Sequence, residues 1–159
     1  MTDAAARDAL IAPHRRTGRL SGRCLCGAVS IEVDGKYVAA IGACHCVMCQ
    51  RWSGMLFGSF VAETQGVAVT GPVRSYVSSS FSERGFCETC GSPIWLRATD
   101  RDEPEIELFP GLFKEAADFA LLSEIYTDLA PNYACLKGEH IRRTRAEVQA
   151  KHPFVEGDN

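Results

Sequence analysis

A chain of 159 residues with 46% hydrophobic content is long enough to bury one core and short for two full domains. The net charge of −3 and the pI of about 5.8 exclude an overall basic field that would hold nucleic acid or an anionic membrane. No window approaches the roughly 20 apolar residues of a membrane span, and the first 20 residues lack the apolar run of a secretory signal. We therefore predict a cytoplasmic protein whose partners are small molecules, with no nucleic acid and no membrane.

Short strands are predicted from Gly22 onwards, after a polar leader over 1–21. Val29, Ile31 and Val33 alternate with polar residues, which is the pattern of a half-buried strand, and Asp34-Gly35 ends it. Glycine and proline separate the further predicted strands, at 37–43, 56–62, 67–70, 73–77, 93–97 and 105–109.

Helices are predicted to be brief. One turn is expected after Cys46, another helix over 114–119, and the best helical pattern covers 141–151. The prediction is a single mainly β domain over 22–137, followed by a polar, partly helical tail over 138–159.

Eight cysteines require an explanation other than disulfides, because the cytosol keeps thiols reduced. Metal ligation or catalysis is the leading interpretation. Seven of them form three groups, while Cys135 stands alone and is predicted to be a small buried hydrophobic residue. The groups are Cys24-x-Cys26, Cys44-x-Cys46-x-x-Cys49 and Cys87-x-x-Cys90-Gly91.

These spacings suit zinc. A CxxC followed by glycine forms a tight turn in which two thiolates converge on one ion at about 2.3 Å, and residues i and i+2 of an extended CxC share a face. Four thiolates close a tetrahedral site, whereas three leave one position open for a substrate or water. Because neighbouring cysteines can bind one ion locally, we assign the open, catalytic zinc to Cys44, Cys46 and Cys49. The closed, structural zinc is then assigned to Cys24, Cys26, Cys87 and Cys90.

Two alternatives remain open for the middle group. His45 could complete a second closed site, although it points away from Cys44 and Cys46 if that segment is extended. Cys46-x-x-Cys49 could instead be a redox pair, if its thiols are free of metal.

His45 could also shuttle a proton, and Arg51 could pair with a substrate carboxylate or be solvated. The aromatic residues Trp52, Phe57, Phe60 and Trp95 are expected to build the core.

The three cysteine motifs, in this order, resemble the glutathione-dependent formaldehyde-activating family, which also includes the centromere protein V group. The resemblance covers about 22–136. It implies a β-tent fold related to Mss4-like zinc folds, a structural zinc shared by the first and third motifs, and a catalytic zinc on the middle one. The family's histidine before an apolar-aromatic pair and its later tryptophan are replaced here by Glu124 and Tyr133.

The expected function follows from the ligands and the resemblance together. A zinc ion with three thiolates carries a net charge of −1 and is a poor Lewis acid for hydrolysis, but it keeps an incoming thiol deprotonated. We predict a carbon–sulfur lyase that activates a thiol such as glutathione for reversible addition to formaldehyde or a similar small electrophile. The alternative is a zinc-stabilised binding or scaffold module without catalysis.

Overall fold

Strands dominate the computed structural model, which describes residues 8–100 and 105–151. Short α-helices and several 3-10 turns connect them, so the predicted mainly β class with short helices is confirmed. The helices are α1 (Val47–Ser53) and α2 (Arg145–Gln149). The strands are β1 (Arg15–Arg23), β2 (Ser30–Val38), β3 (Ala40–Cys44), β4 (Phe57–Glu63), β5 (Val67–Thr70), β6 (Val73–Ser79), β7 (Ser82–Cys87), β8 (Pro93–Ala98), β9 (Glu105–Leu108), β10 (Ala120–Ile125) and β11 (Ile141–Arg143).

The eleven strands found in the described residues belong to one mixed sheet. Its longest path runs β11-β10-β3-β4-β9-β8-β7-β6, and β2 joins it through β4 while also pairing with β1 and β5. The pairs that β10 forms with β3 and with β11 are parallel, and the others are antiparallel. This order places β10 directly beside β3, whose last residue is Cys44.

The sheet extends on both sides of the range 22–137. β1 begins at Arg15 and pairs with β2 over its full length. Only Leu20 and Gly22 of β1 are buried, so its sequence lacks a hydrophobic alternation that would predict a strand. A Cβ at Gly22 would lie 2.6 Å from the Phe113 ring, so this position of the strand needs glycine.

The C-terminal helix is shorter than predicted. The pattern over 141–151 predicts one helix, but Ile141–Arg143 form β11 against β10, and α2 begins at Arg145. Thr144 caps α2 with its side chain and forms a capping box with Glu147, which sets the start of the helix. No helix in the described part of the chain is long and apolar enough to cross a membrane.

Buried side chains form two clusters. The larger is built on β2, β4, β8 and β9 around Ile31, Phe60 and Leu108. The smaller contains Phe57, Phe109, Tyr126 and Val148, together with Cys44, Cys46 and Cys49. The middle cysteine group therefore lies within apolar packing, where electrostatic interactions are stronger than in water.

Candidate metal centre

Four cysteines from two distant parts of the chain meet at one point. The Sγ atoms of Cys24, Cys26, Cys87 and Cys90 all lie within 4.8 Å of one another. Cys24 and Cys26 follow β1, Cys87 ends β7, and Cys90 lies in the turn before β8. We call this group the four-cysteine cluster. It is the set that the spacing assigned to the closed site.

The turn around Cys90 orients its thiols through backbone and hydroxyl groups. The Gly91 N–H donates to the Cys87 carbonyl at 2.9 Å, and Gly91 has a φ of 75° that favours glycine. Ser92 Oγ lies 3.2 Å from Cys90 Sγ and accepts a hydrogen bond from the Leu25 N–H. Hydrogen bonds from the Ser92 side chain and backbone lower the pKa of Cys90 to about 5. Ser92 thus joins the two halves of the cluster.

The middle group forms a second cluster at the junction of β3 and α1. The Sγ atoms of Cys44, Cys46 and Cys49 lie within 4.8 Å of one another, and all three residues are buried. Cys46 is the N-cap of α1, with its Sγ accepting from the Cys49 N–H at 3.5 Å. We call this group the three-cysteine cluster. Among the described histidine, cysteine, aspartate and glutamate residues, it contains no fourth donor.

Without metal, the three thiols share their protons unevenly. Hydrogen bonds from Cys44 and Cys49 lower the pKa of Cys46 to about 3. The hydrogen bond with Cys46 raises the pKa of Cys44 well above its usual value, and burial adds to this shift. These hydrogen bonds favour the thiolate form of Cys46, which is the form that binds a metal ion.

His45 does not join the three-cysteine cluster. Its Nε2 lies 2.7 Å from Glu124 Oε1, while the other carboxylate oxygen of Glu124 lies 2.8 Å from His140 Nε2 and 3.1 Å from Arg142 Nε. Burial acts to raise the pKa of Glu124, but the hydrogen bonds from His140 and His45 outweigh it and hold that pKa below its ordinary value. Glu124 lies on β10 and thus links the turn after β3 to β11 and the residue before it.

Arg84, on β7, contacts the three-cysteine cluster. Its Nη2 donates to Cys49 Sγ at 3.6 Å, and its Nε donates to Ser78 Oγ at 3.0 Å. The guanidinium carbon lies 5.5 Å from the ring centroids of both Trp52 and Phe57. Sequence reasoning missed Arg84, because 35 residues separate it from Cys49 and no local motif marks it.

Other predicted residues occupy less central positions. Arg51 is exposed on α1, and Cys135 is exposed, so the prediction that Cys135 is buried is wrong. Its Sγ contacts the Asn132 carbonyl of the same loop at 3.4 Å, so local packing does not enclose it. Tyr133 is also exposed, whereas Glu124 is fully buried.

Both clusters offer sulfur donors that zinc binds, and sulfur distances in the four-cysteine cluster can be compared with a tetrahedral site. Tetrahedral thiolates at about 2.3 Å from one ion are about 3.8 Å apart. The Sγ distances are 3.5 Å between Cys24 and Cys26 and 3.9 Å between Cys26 and Cys87. All eight cysteines are free thiols. Both clusters can therefore hold a metal ion and are compatible with zinc.

Comparison with known proteins agrees with this geometry. The family model described as glutathione-dependent formaldehyde-activating enzyme matches residues 19–129, which include both clusters. The chain belongs to this family. The match confirms the resemblance carried by the three cysteine motifs.

Two named relatives extend the comparison. An uncharacterized lyase of Schizosaccharomyces pombe is 29% identical over 112 residues, which cover 70% of this chain and 80% of that protein. A Halomonas elongata protein, provisionally named as a glutathione-dependent formaldehyde-activating enzyme, is 28% identical over 88 residues, covering 48% of this chain and 55% of that protein. At a coarse level, the family and these names support a lyase.

A solved structure supports the fold. A crystal structure of a Rhodobacter sphaeroides protein aligns with a TM-score of 0.52, covering 78% of this chain and 99% of that one at 23% identity. At this identity the likeness concerns the fold alone. The mainly β architecture is thus shared with an experimentally determined structure.

Proposed function

We propose that this protein is a zinc-dependent carbon–sulfur lyase that promotes reversible addition of a thiol, such as glutathione, to formaldehyde or a similar small electrophile. The proposal assigns one structural ion to the four-cysteine cluster and one catalytic ion to the three-cysteine cluster. The observation that carries it is the difference in donor number: four sulfur atoms meet at one cluster and three at the other. The family and the relatives' names support the same reaction class.

The main requirement of this reaction is a site that binds the substrate thiol as a thiolate. When bound to three thiolates, zinc would supply an open position that keeps a substrate thiol deprotonated. The thiol gives its proton to solvent, its sulfur lone pair forms the C–S bond to the carbonyl carbon, and the C=O π electrons move to oxygen, which takes a proton back from solvent. The reverse reaction breaks the C–S bond and releases the aldehyde and the thiol.

The residues of this chain hold the donors in place. Cys46 and Cys49 are fixed by the first turn of α1, and Cys44 by the pairing of β3 with β4 and β10. His45 is oriented by Glu124, so its imidazole supports the turn and is not proposed as a ligand. A reducing compartment such as the cytoplasm would keep the seven ligand thiols available.

The test measures zinc per chain and the zinc-edge X-ray absorption spectrum before and after glutathione is added. We expect two ions, one of which exchanges a light-atom ligand for sulfur. Formation of S-hydroxymethylglutathione is then followed against the uncatalysed reaction of formaldehyde with glutathione. One zinc ion, or two that both ignore glutathione, would support the scaffold alternative instead.

A variant pair sharpens the test. Cys49→Ser is expected to abolish turnover above background while the protein keeps its fold and one zinc ion. Cys135→Ser is the matched control, because Cys135 is an exposed cysteine outside both clusters and its loss should change neither metal content nor activity. Loss of the whole fold in Cys49→Ser would contradict the division into a structural and a catalytic ion.

A further inference from the structure

Arg84 is a buried cation that has no carboxylate partner among the described residues. The residue is 2% exposed, and the ion pairs found among the described residues do not include it. A guanidinium carries a fixed positive charge, and a buried charge without compensation is strongly unfavourable. Arg84 therefore needs a buried anion nearby.

The available anion is the three-cysteine cluster. Arg84 Nη2 contacts Cys49 Sγ at 3.6 Å, and its Nε is already satisfied by Ser78. The rings of Trp52 and Phe57 lie 5.5 Å from the guanidinium carbon, and Arg84 is buried. Nη1 is buried and has no hydrogen-bond partner among the described residues. Because the guanidinium is a rigid planar fork, Nη1 shares one of its edges with Nη2, the nitrogen that contacts Cys49.

The contact between Arg84 and Cys49 would balance the net charge of the metal-loaded cluster. Three thiolates and a divalent ion sum to −1, and a fourth, anionic ligand would bring the sum to −2. In an apolar site, such an excess charge is strongly unfavourable without a nearby cation. With Arg84 included, the loaded cluster is neutral, and the addition of one thiolate leaves −1.

We infer that Arg84 is the charge-compensating and positioning residue of the three-cysteine cluster, which holds Cys49 and allows an anionic thiolate ligand at the open position. The first part concerns this chain's own residues, and the second rests on the proposed function. Arg84 also lies three residues before Cys87, so β7 carries a ligand of one cluster and the counter-charge of the other.

The test uses Arg84→Gln and Arg84→Lys, starting from protein that holds one zinc ion in the four-cysteine cluster. Cobalt(II) is titrated into the remaining site and followed by its sulfur-to-metal charge-transfer absorption. We expect at least tenfold weaker cobalt binding in Arg84→Gln, and a smaller loss in Arg84→Lys, which keeps the charge. Wild-type affinity in Arg84→Gln would overturn the inference. A loss in Arg84→Lys equal to that in Arg84→Gln would overturn it too, because packing would then explain both.

Arg97→Gln is the matched control. Arg97 lies on the neighbouring strand β8, stacks on Trp95 at 5.2 Å and pairs with Glu83, but it does not contact the three-cysteine cluster. Its removal should leave cobalt binding unchanged, and a tenfold loss there would overturn the specific role of Arg84. Thermal unfolding of the one-zinc proteins checks that each variant is folded before titration.

A second arm separates this inference from the proposed function. Glutathione is added to the cobalt-loaded proteins, and new sulfur-to-cobalt absorption reports its binding. Wild type should bind it at least tenfold more tightly than Arg84→Gln, and equal affinities would overturn the part that concerns an anionic ligand. If wild type binds no thiol, the proposed function fails, and the part of the inference that concerns an anionic ligand fails with it. The cobalt affinities still decide whether Arg84 compensates the charge of the cluster.

Discussion

The two cysteine clusters are built from the same ligand type but supported in opposite ways. The four-cysteine cluster joins chain segments about 60 residues apart, and its Cys26 is exposed. The three-cysteine cluster comes from six consecutive residues, but it is buried and contacted by Arg84 from β7, while β10 lies beside it. A metal ion bound by cysteines far apart in the chain stabilises the fold directly, whatever side chains surround it. A local cluster can give up a ligand position without loss of the fold, and its environment then determines what binds there.

The largest expected effect comes from removing a donor of the four-cysteine cluster. Cys87→Ser removes a fully buried donor of the four-cysteine cluster. Because metal binding contributes directly to folding free energy, we expect a loss of several kcal/mol and of cooperative unfolding. Cys49→Ser should remain folded. Chemical denaturation of the two variants tests the contrast, and equal stabilities would remove the distinction between the clusters.

Glu124→Gln should loosen the support of the three-cysteine cluster. The carboxylate is hydrogen-bonded to His45 and His140, and weakening these charged hydrogen bonds should cost about 3 kcal/mol at pH 7. Because the pKa of Glu124 is held below its ordinary value of 4.5, its stabilising effect is fully present above that pH and is lost as the pH falls through the folded-state pKa.

The pH dependence of that variant is the sharper measurement. The difference in unfolding free energy between wild type and Glu124→Gln should be constant from pH 8 to about 6 and narrow below about pH 4.5. Urea denaturation at matched pH values measures it. A difference that grows toward acidic pH would show that Glu124 is not the stabilising anion of this network.

Gly85→Ala tests the sheet that leads to the four-cysteine cluster. Gly85 faces Trp95 across β7 and β8, and a Cβ there would lie 2.2 Å from the indole ring. Displacing a packed ring should cost about 2 kcal/mol. Thermal unfolding should detect this loss, and wild-type stability would mean that Trp95 moves freely.

The smallest effects are expected at two glycines with matching backbone conformations. Gly91, in the turn of the four-cysteine cluster, has a φ of 75°, and Gly54, which ends α1, has a φ of 79°. A Cβ would meet no atom within 4 Å at either position, so alanine should cost about 1 kcal/mol through backbone strain alone.

Metal retention separates these two glycine variants. Gly91→Ala should accelerate zinc loss from the four-cysteine cluster to a chelator, and Gly54→Ala should not. Equal rates of zinc loss in both variants would mean that the turn conformation at Gly91 does not affect how tightly the four-cysteine cluster holds zinc.

Local patterns predicted several elements well because their signals lie within a few residues. The alternation after Ala28 corresponds to β2, and the turn after Cys46 corresponds to α1. The patterns did not predict β1, β7, β10 or β11. The burial of β1 is limited to two positions and β7 contains Gly85, so their strand conformation depends on pairing partners and not on intrinsic preference. The range 22–137 for the domain stays a prediction.

The sequence by itself determined the three cysteine groups, because the spacings CxC and CxxCG place neighbouring thiols close enough to share one ion. The pairing of the first group with the third was an assignment that spacing alone does not decide. The structure brings together the same two sets. Only the tertiary structure decided what surrounds the three-cysteine cluster. Arg84 contacts Cys49 of the cluster from a strand 35 residues away, and Glu124 holds the neighbouring His45 from a strand 79 residues away. Charge compensation depends on distance and burial, and neither is encoded in the local order of residues.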